Sequence, residues 1–277
     1  MFKTMLSLAI LALPLAAHAQ DGPCQDRPTV DIPNTRERVL VLGEMHGTNE
    51  FADLAEKLLC QLIKTQSLVI LGVELPHGEQ ARINAYLASD GGSKSLQLLT
   101  DSDFWNDKWQ DGRRSQAVFS LIEHVRRMRL SGAPVMVDAF DSQASDLPEP
   151  LIKDGVLVPE ARDAFMAHHI ELRVRQYPEA KYFALTGSVH ASKQRGAGAK
   201  WNAGKEPMAL RLNERVPVFS IGASWTGGMA WACWDANDAA GCKASKLEAG
   251  DTGPGFDMGL ELGRLTASAP QNSKISP

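Results

Sequence analysis

Five apolar runs of strand length, at residues 38–44, 68–75, 134–140, 181–186 and 216–223, are separated by segments with helical periodicity. The second is almost unbroken, Leu68-Val69-Ile70-Leu71-Gly72-Val73-Glu74-Leu75. Such runs suit strands buried on both faces of a parallel sheet. Helices are expected over 50–65, 78–88, 113–130 and 159–176, the last opening on Pro159 in its first turn. In the first of them Phe51, Leu54, Ala55, Leu58, Leu59 and Leu62 recur at the helical period. Strands alternating with helices of this length predict an α/β fold: a mostly parallel sheet covered by helices on both faces, in a single domain over residues 20–270. Residues 89–109, with Phe104, Trp105 and Trp109, read as an irregular loop. Beyond Ser224 the pattern changes to Trp225, Trp231 and Trp234 interleaved with Gly227-Gly228. Residues 256–265 are expected as a final edge strand and 271–277 as a disordered tail.

Residues 1–19 have the features of a cleavable signal peptide: Lys3, an apolar stretch from Met5 to Ala17, and the small-x-small site Ala17-His18-Ala19. No Cys follows that site to carry a lipid anchor, and no segment approaches bilayer-spanning length, so a periplasmic or secreted protein is expected. The net charge of −4 comes with no basic block, which argues against a nucleic-acid partner. Four cysteines in an oxidising compartment suggest two disulfides. Cys233 and Cys242, close in sequence, are the natural pair, leaving Cys24–Cys60 to tie the mature N-terminus to the first helix.

Two of the runs end in a Gly-x-x-His tetrapeptide, Gly43-Glu44-Met45-His46 and Gly187-Ser188-Val189-His190. With 23 Gly and 7 His, chance alone yields about 0.6 such tetrapeptides, so their position after strands carries the inference. Polar side chains just past the carboxyl ends of sheet strands converge on the crevice where α/β proteins bind ligands. Glu44 and His46, two apart, project to one side of an extended chain. Glu74 holds the matching place on the second strand, where a carboxylate is costly unless paired or functional. Each alone could be a cap or an ion-paired residue at the sheet edge; four on strand ends favour a site. On the helix over 159–176, Arg162, Met166 and His169 share a face, while His168 and Glu171 are three apart. His77 and His124 look incidental, on a loop and an exposed helical face. No His-Glu-x-x-His or Gly-x-Ser-x-Gly is present.

These motifs resemble a known superfamily, that of the erythromycin esterases, the ChaN-type haem-uptake proteins and the Tiki/TraB proteins. The matching segments are Gly43-Glu44-Met45-His46-Gly47 with Glu50, Gly72-Val73-Glu74, Arg162 to Ala167, and Gly187 to Ala191. Asp138-Ala139-Phe140-Asp141 also fits, and His169 departs from the pattern by standing where the family has Asn. The resemblance implies different things by branch: ester hydrolysis without a metal, metal-dependent peptidase activity, or haem binding without catalysis.

The expected function is an exported hydrolase of ester or amide bonds acting on a small-molecule or peptide substrate. In it Glu44 and Glu74 orient or ligate, His46 or His190 deprotonates water, and Arg162 stabilises the oxyanion. Glu44, His46, Glu74 and His190 would hold a divalent metal (Zn, Mn or Fe) if one is used. On this reading His46→Ala and Glu74→Gln abolish turnover and leave the fold intact. The alternative is a haem- or iron-ligand-binding protein, with His169, His168, Tyr86, Tyr177 and Tyr182 as candidate cofactor ligands.

Overall fold

The computed structural model describes residues 22–25, 27–142, 152–153, 156–157, 159–196, 204–233 and 241–272. The expected signal segment, Trp234 and residues 273–277 lie outside the described residues. In chain order the elements are β1 (Val39–Glu44), α1 (Asn49–Leu62), β2 (Val69–Pro76), α2 (Gln80–Leu87), α3 (Ser93–Thr100), α4 (Asp103–Asn106), α5 (Gln116–Leu130) and β3 (Val135–Asp141). A two-stranded pair follows, β4 (Ile152–Lys153) and β5 (Val156–Leu157), then α6 (Pro159–Gln176), β6 (Lys181–Gly187), α7 (Ser188–Ala191), α8 (Met208–Asn213) and β7 (Val218–Trp225). The chain closes with β8 (Gly228–Cys233), β9 (Cys242–Leu247), β10 (Gly250–Asp251) and β11 (Met258–Glu261).

The main sheet runs β10-β7-β1-β6-β2-β3, with β11 also on β7. All of its pairings are parallel except β10 with β7. Every residue of β1, β2 and β6 is buried, as expected for parallel strands covered on both sides. Side-chain alternation splits the core in two. Leu40, Leu42, Leu71 and Val73 pack with α1 and α5 on one face. Val39, Val41, Ile70 and Tyr182 pack with α6 and α8 on the other. The α/β architecture read from the sequence, a mostly parallel sheet with helices on both faces in one domain, is the one observed.

One topological detail builds the site. β6 enters the sheet between β1 and β2, setting Glu44 opposite Gly187 and Val73 opposite Leu185. Residues 44–46, 74 and 187–190, far apart in the chain, thus leave the sheet at one edge.

Three local expectations are corrected. Residues 89–109 are not an irregular loop but carry α3 and α4; Leu96 and Leu99 supply a short apolar face, and Ser102 Oγ caps the turn that buries Trp105. The helix expected from residue 113 begins at Gln116, because Ser115 caps it through Oγ to the Val118 amide, which frees Arg113 and Arg114. His124 is not on an exposed face: it is buried beneath α1. Burial, then the charges of Arg27 and Arg127, push its pKa down to about 4.

Both disulfides pair as expected. Cys233 and Cys242 face each other across the β8–β9 ladder, and Cys24–Cys60 ties the N-terminal segment to α1. The latter spans 36 residues, and losing such a cross-link costs about 2–4 kcal/mol through the freed unfolded chain. Cys24→Ser/Cys60→Ser should lower the unfolding free energy by that amount, read as a lower urea midpoint at unchanged m. An unchanged midpoint would show that the tether carries no stability.

Candidate active site

Glu74 is the hub. Its Oε2 accepts hydrogen bonds from Thr186 Oγ1 at 2.6 Å and the Gly187 amide at 2.7 Å, and its Oε1 accepts from Arg162 Nη2 at 2.5 Å. His46 Nε2 is 3.5 Å from Oε2, while His46 Nδ1 lies 2.8 Å from Glu44 Oε1. The imidazole therefore sits between two carboxylates. Burial acts to lower its pKa, but Glu74 and Glu44 together outweigh burial and push it up to about 10. At neutral pH His46 is an imidazolium. Burial likewise opposes ionisation of Glu74, yet His46 first and Arg162 next hold its carboxyl well below the usual range.

The glycines of the two Gly-x-x-His motifs have packing reasons. A Cβ on Gly187 would stand 2.9 Å from His46 Nε2, and one on Gly43 would stand 2.7 Å from the Phe256 ring. Gly47, which follows the first motif, has φ +71°, and a side chain there would run into the Trp231 carbonyl.

His190, on the short α7, is the second centre. Its Nδ1 is 2.7 Å from Asp163 Oδ1, which also accepts the Met208 amide at 2.7 Å. A carboxylate accepting from Nδ1–H leaves Nε2 as the acceptor. Nε2 accepts from Arg162 Nη1 at 3.3 Å. Arg162 is itself fixed by two hydrogen bonds to Asp141, Nε to Oδ1 at 2.8 Å and Nη2 to Oδ2 at 2.7 Å. Arg113 joins from the loop ahead of α5, donating to Asp141 at 2.6 Å and to Asp111 at 2.8 and 2.9 Å. Glu44, His46, Glu74, Arg113, Arg162 and His190 border a cavity of about 470 Å³, with Met45, Trp109, Val189 and Ala232 among its other walls. Its size and mixed lining suit a small organic ligand.

The structure thus brings together Glu44, His46, Glu74, Arg162 and His190. His169 is elsewhere: its Nε2 lies 3.1 Å from both oxygens of Asp138, a buried carboxylate that also accepts from Tyr182 Oη and Arg173 Nε. His168 is largely exposed, 3.9 Å from Glu171. Tyr86 donates to Glu123. None of His168, His169, Tyr86, Tyr177 and Tyr182 lines the cavity. Sequence reasoning missed Asp163, Arg113 and Asp111. Asp163 directly follows Arg162, so the pair sends one residue to Glu74 and the other to His190. For Arg113 the available signal was the Ser115 cap.

The donor set does not fit a divalent metal. Both Glu74 oxygens already accept strong donors, Arg162 Nη1 meets His190 Nε2, and the guanidinium occupies the space between Glu74 and His190. A divalent cation there would meet the Arg162 guanidinium. A group that carries partial negative charge, such as a polarised carbonyl, fits instead.

No protein-family profile matches the sequence, and no curated protein matches it significantly. Among solved structures, an erythromycin esterase, in a mutant form and an open conformation, superposes with a TM-score of 0.57 at 13% identity over 76% of each chain. A succinoglycan biosynthesis protein superposes at 0.53 and 11% identity, over 85% of this chain and 90% of that one. A ChaN of Campylobacter jejuni with cofacially bound haem aligns at 0.39 and 13% identity over 78% of this chain, a likeness too distant to argue from. The chain has the fold of an erythromycin esterase, in agreement with the resemblance carried by its motifs.

Proposed function

We propose that this protein is a hydrolase of ester or amide bonds that uses His190 as its base without a metal. One observation carries the reading: an Asp163-oriented His190 turns its acceptor Nε2, which Arg162 Nη1 meets at 3.3 Å, toward a cavity bordered by that guanidinium and by His46. As the water oxygen attacks the substrate carbonyl, Arg162 Nη1 passes from His190 Nε2 to the developing oxyanion and Nε2 takes the water proton. Arg162, held by Asp141 and Glu74 before substrate arrives, stabilises the oxyanion that forms. His46, charged between Glu44 and Glu74, donates its proton to the departing alkoxide or amine. The apolar walls Met45, Trp109, Val189 and Ala232 take up the acyl or alcohol part of a small-molecule or peptide substrate. The two disulfides support an exported protein.

Leaving-group dependence tests the division of labour. His190→Ala should abolish hydrolysis of both alkyl and p-nitrophenyl esters. His46→Gln should depress alkyl esters far more, because p-nitrophenolate departs without a proton. Equal losses on both ester types would remove the acid role from His46, and a fully active His190→Ala would end the reading.

The pH dependence follows from the same pair. His46 has a folded pKa above its ordinary 6.5, so its contribution to stability is complete below pH 6.5 and is lost as pH rises through about 10. Glu74 is depressed, so its contribution is present above the ordinary carboxylate pKa and lost in acid. NMR titration of the His46 ring should show no protonation change between pH 5 and 8. A midpoint near 6.5 would mean that the two carboxylates do not act on it.

A further inference from the structure

The Cys24–Cys60 disulfide has an imidazole laid against it, remote in role from the cavity at the strand ends. His124 Nε2 is 3.4 Å from Cys60 Sγ and 3.7 Å from Cys24 Sγ, and all three residues are buried. The other ring nitrogen, Nδ1, lies 3.0 Å from Glu56 Oε1, a carboxylate that Arg27 also holds. A carboxylate there accepts from Nδ1–H, so Nε2 presents a lone pair to the sulfurs. Disulfide sulfurs have no proton to offer it. A buried ring nitrogen therefore points at two atoms that cannot satisfy it while they are bonded to each other.

This is the arrangement of a metal-binding histidine, with one nitrogen oriented by a carboxylate and the other aimed at the metal position. The distances agree. With Zn–S about 2.3 Å and Zn–N about 2.0–2.1 Å, tetrahedral geometry puts a ligand nitrogen about 3.6 Å from a ligand sulfur. The two separations here are 3.4 and 3.7 Å. Only the sulfurs need to part, to about 3.8 Å in the same geometry. With the Cα atoms 5.3 Å apart, side-chain rotation is enough to do so.

We propose that Cys24, Cys60 and His124 form a site for a thiophilic divalent cation, Zn²⁺ by its chemistry, once their disulfide is reduced, with Glu56 orienting His124. Reduction breaks the S–S bond and adds two electrons and two protons, taken from a dithiol that becomes a disulfide. The cation then displaces both thiol protons, forming two metal–sulfur bonds and releasing two H⁺. The metal holds the N-terminal segment against α1 as the disulfide did, so the strap survives in either redox state.

The test uses the full chain reduced with a phosphine, which leaves as the phosphine oxide after taking oxygen from water, and titrated with Co²⁺ without air. The expected result is a sulfur-to-cobalt charge-transfer band that saturates at one equivalent, is bleached by Zn²⁺, and is absent from the unreduced chain. His124→Ala, which keeps the disulfide and so the oxidised fold, should weaken Co²⁺ binding at least tenfold after reduction. Reduced wild type without the band would overturn the proposal, as would undiminished binding by His124→Ala. A band that persists in Cys24→Ser/Cys60→Ser would place the metal on Cys233 and Cys242 instead and would equally overturn it.

Discussion

Asp163→Asn is expected to lower kcat by about 10²–10⁴-fold with little effect on KM, the range that a positioned general base contributes. Asp163 Oδ1 accepts from both His190 Nδ1 and the Met208 amide. An amide oxygen in its place can keep both contacts, but it removes the negative charge that stabilises the imidazolium formed when Nε2 takes a proton from water. Because size and shape barely change, the fold should survive. Steady-state kinetics on an ester, with thermal melting as the control, decides the matter. Activity within threefold of wild type in a folded variant would mean that Asp163 only anchors α8. Asp163→Glu should recover part of the rate, since it restores a carboxylate on Nδ1; a purely structural role would not distinguish the two variants in this way.

Glu74→Gln is expected to cost about 3–5 kcal/mol of stability as well as turnover, the penalty for removing one partner of a buried, hydrogen-bonded ion pair. The sequence alone suggested a variant with an intact fold. The structure changes that expectation, because both Glu74 oxygens face donors: Arg162 on one, Thr186 and the Gly187 amide on the other. A glutamine amide has one acceptor to offer, and its NH₂ would confront a donor on either side. The side chain is 3% exposed, so water cannot repair the mismatch. Glu44→Gln is the useful comparison. It removes one partner of His46, whose side chain keeps 23% of its surface exposed, and should cost less. Urea unfolding of the two variants measures the difference. Equal and small losses would show that Glu74 is not the hub of the network.

Loss of Glu74 should also reach His46. The carboxylate is the first of the two charges that raise its pKa, so in a folded Glu74→Gln chain the imidazole should titrate closer to its ordinary value. His46 and Glu74 thus act as one unit, and their single-variant losses should not add.

Much of this was legible in the sequence. The uninterrupted runs of β1 and β2 and the periodicity of α1 report burial, and burial is what makes a parallel sheet covered by helices. Glu44, His46, Glu74 and His190 could be singled out because a charged or titratable residue at the end of an apolar strand is conspicuous in one dimension. The cysteine pairing was legible for a similar reason, since few partners were available. The partners of those residues were not legible. That His190 rests on Asp163, and that Arg113 and Arg162 meet at Asp141, depends on loops and helices 21 to 28 residues apart converging on one carboxylate or one ring. No local pattern encodes such a meeting. His169 shows the converse: it shares a helical face with Arg162, but the packing of α6 on the sheet carries it to Asp138 instead. Composition and periodicity therefore determined the architecture and the strand-end residues. The insertion of β6 between β1 and β2 decided which of those residues touch, because a side chain's charge state is set by its neighbours in space, and only the folded chain selects them.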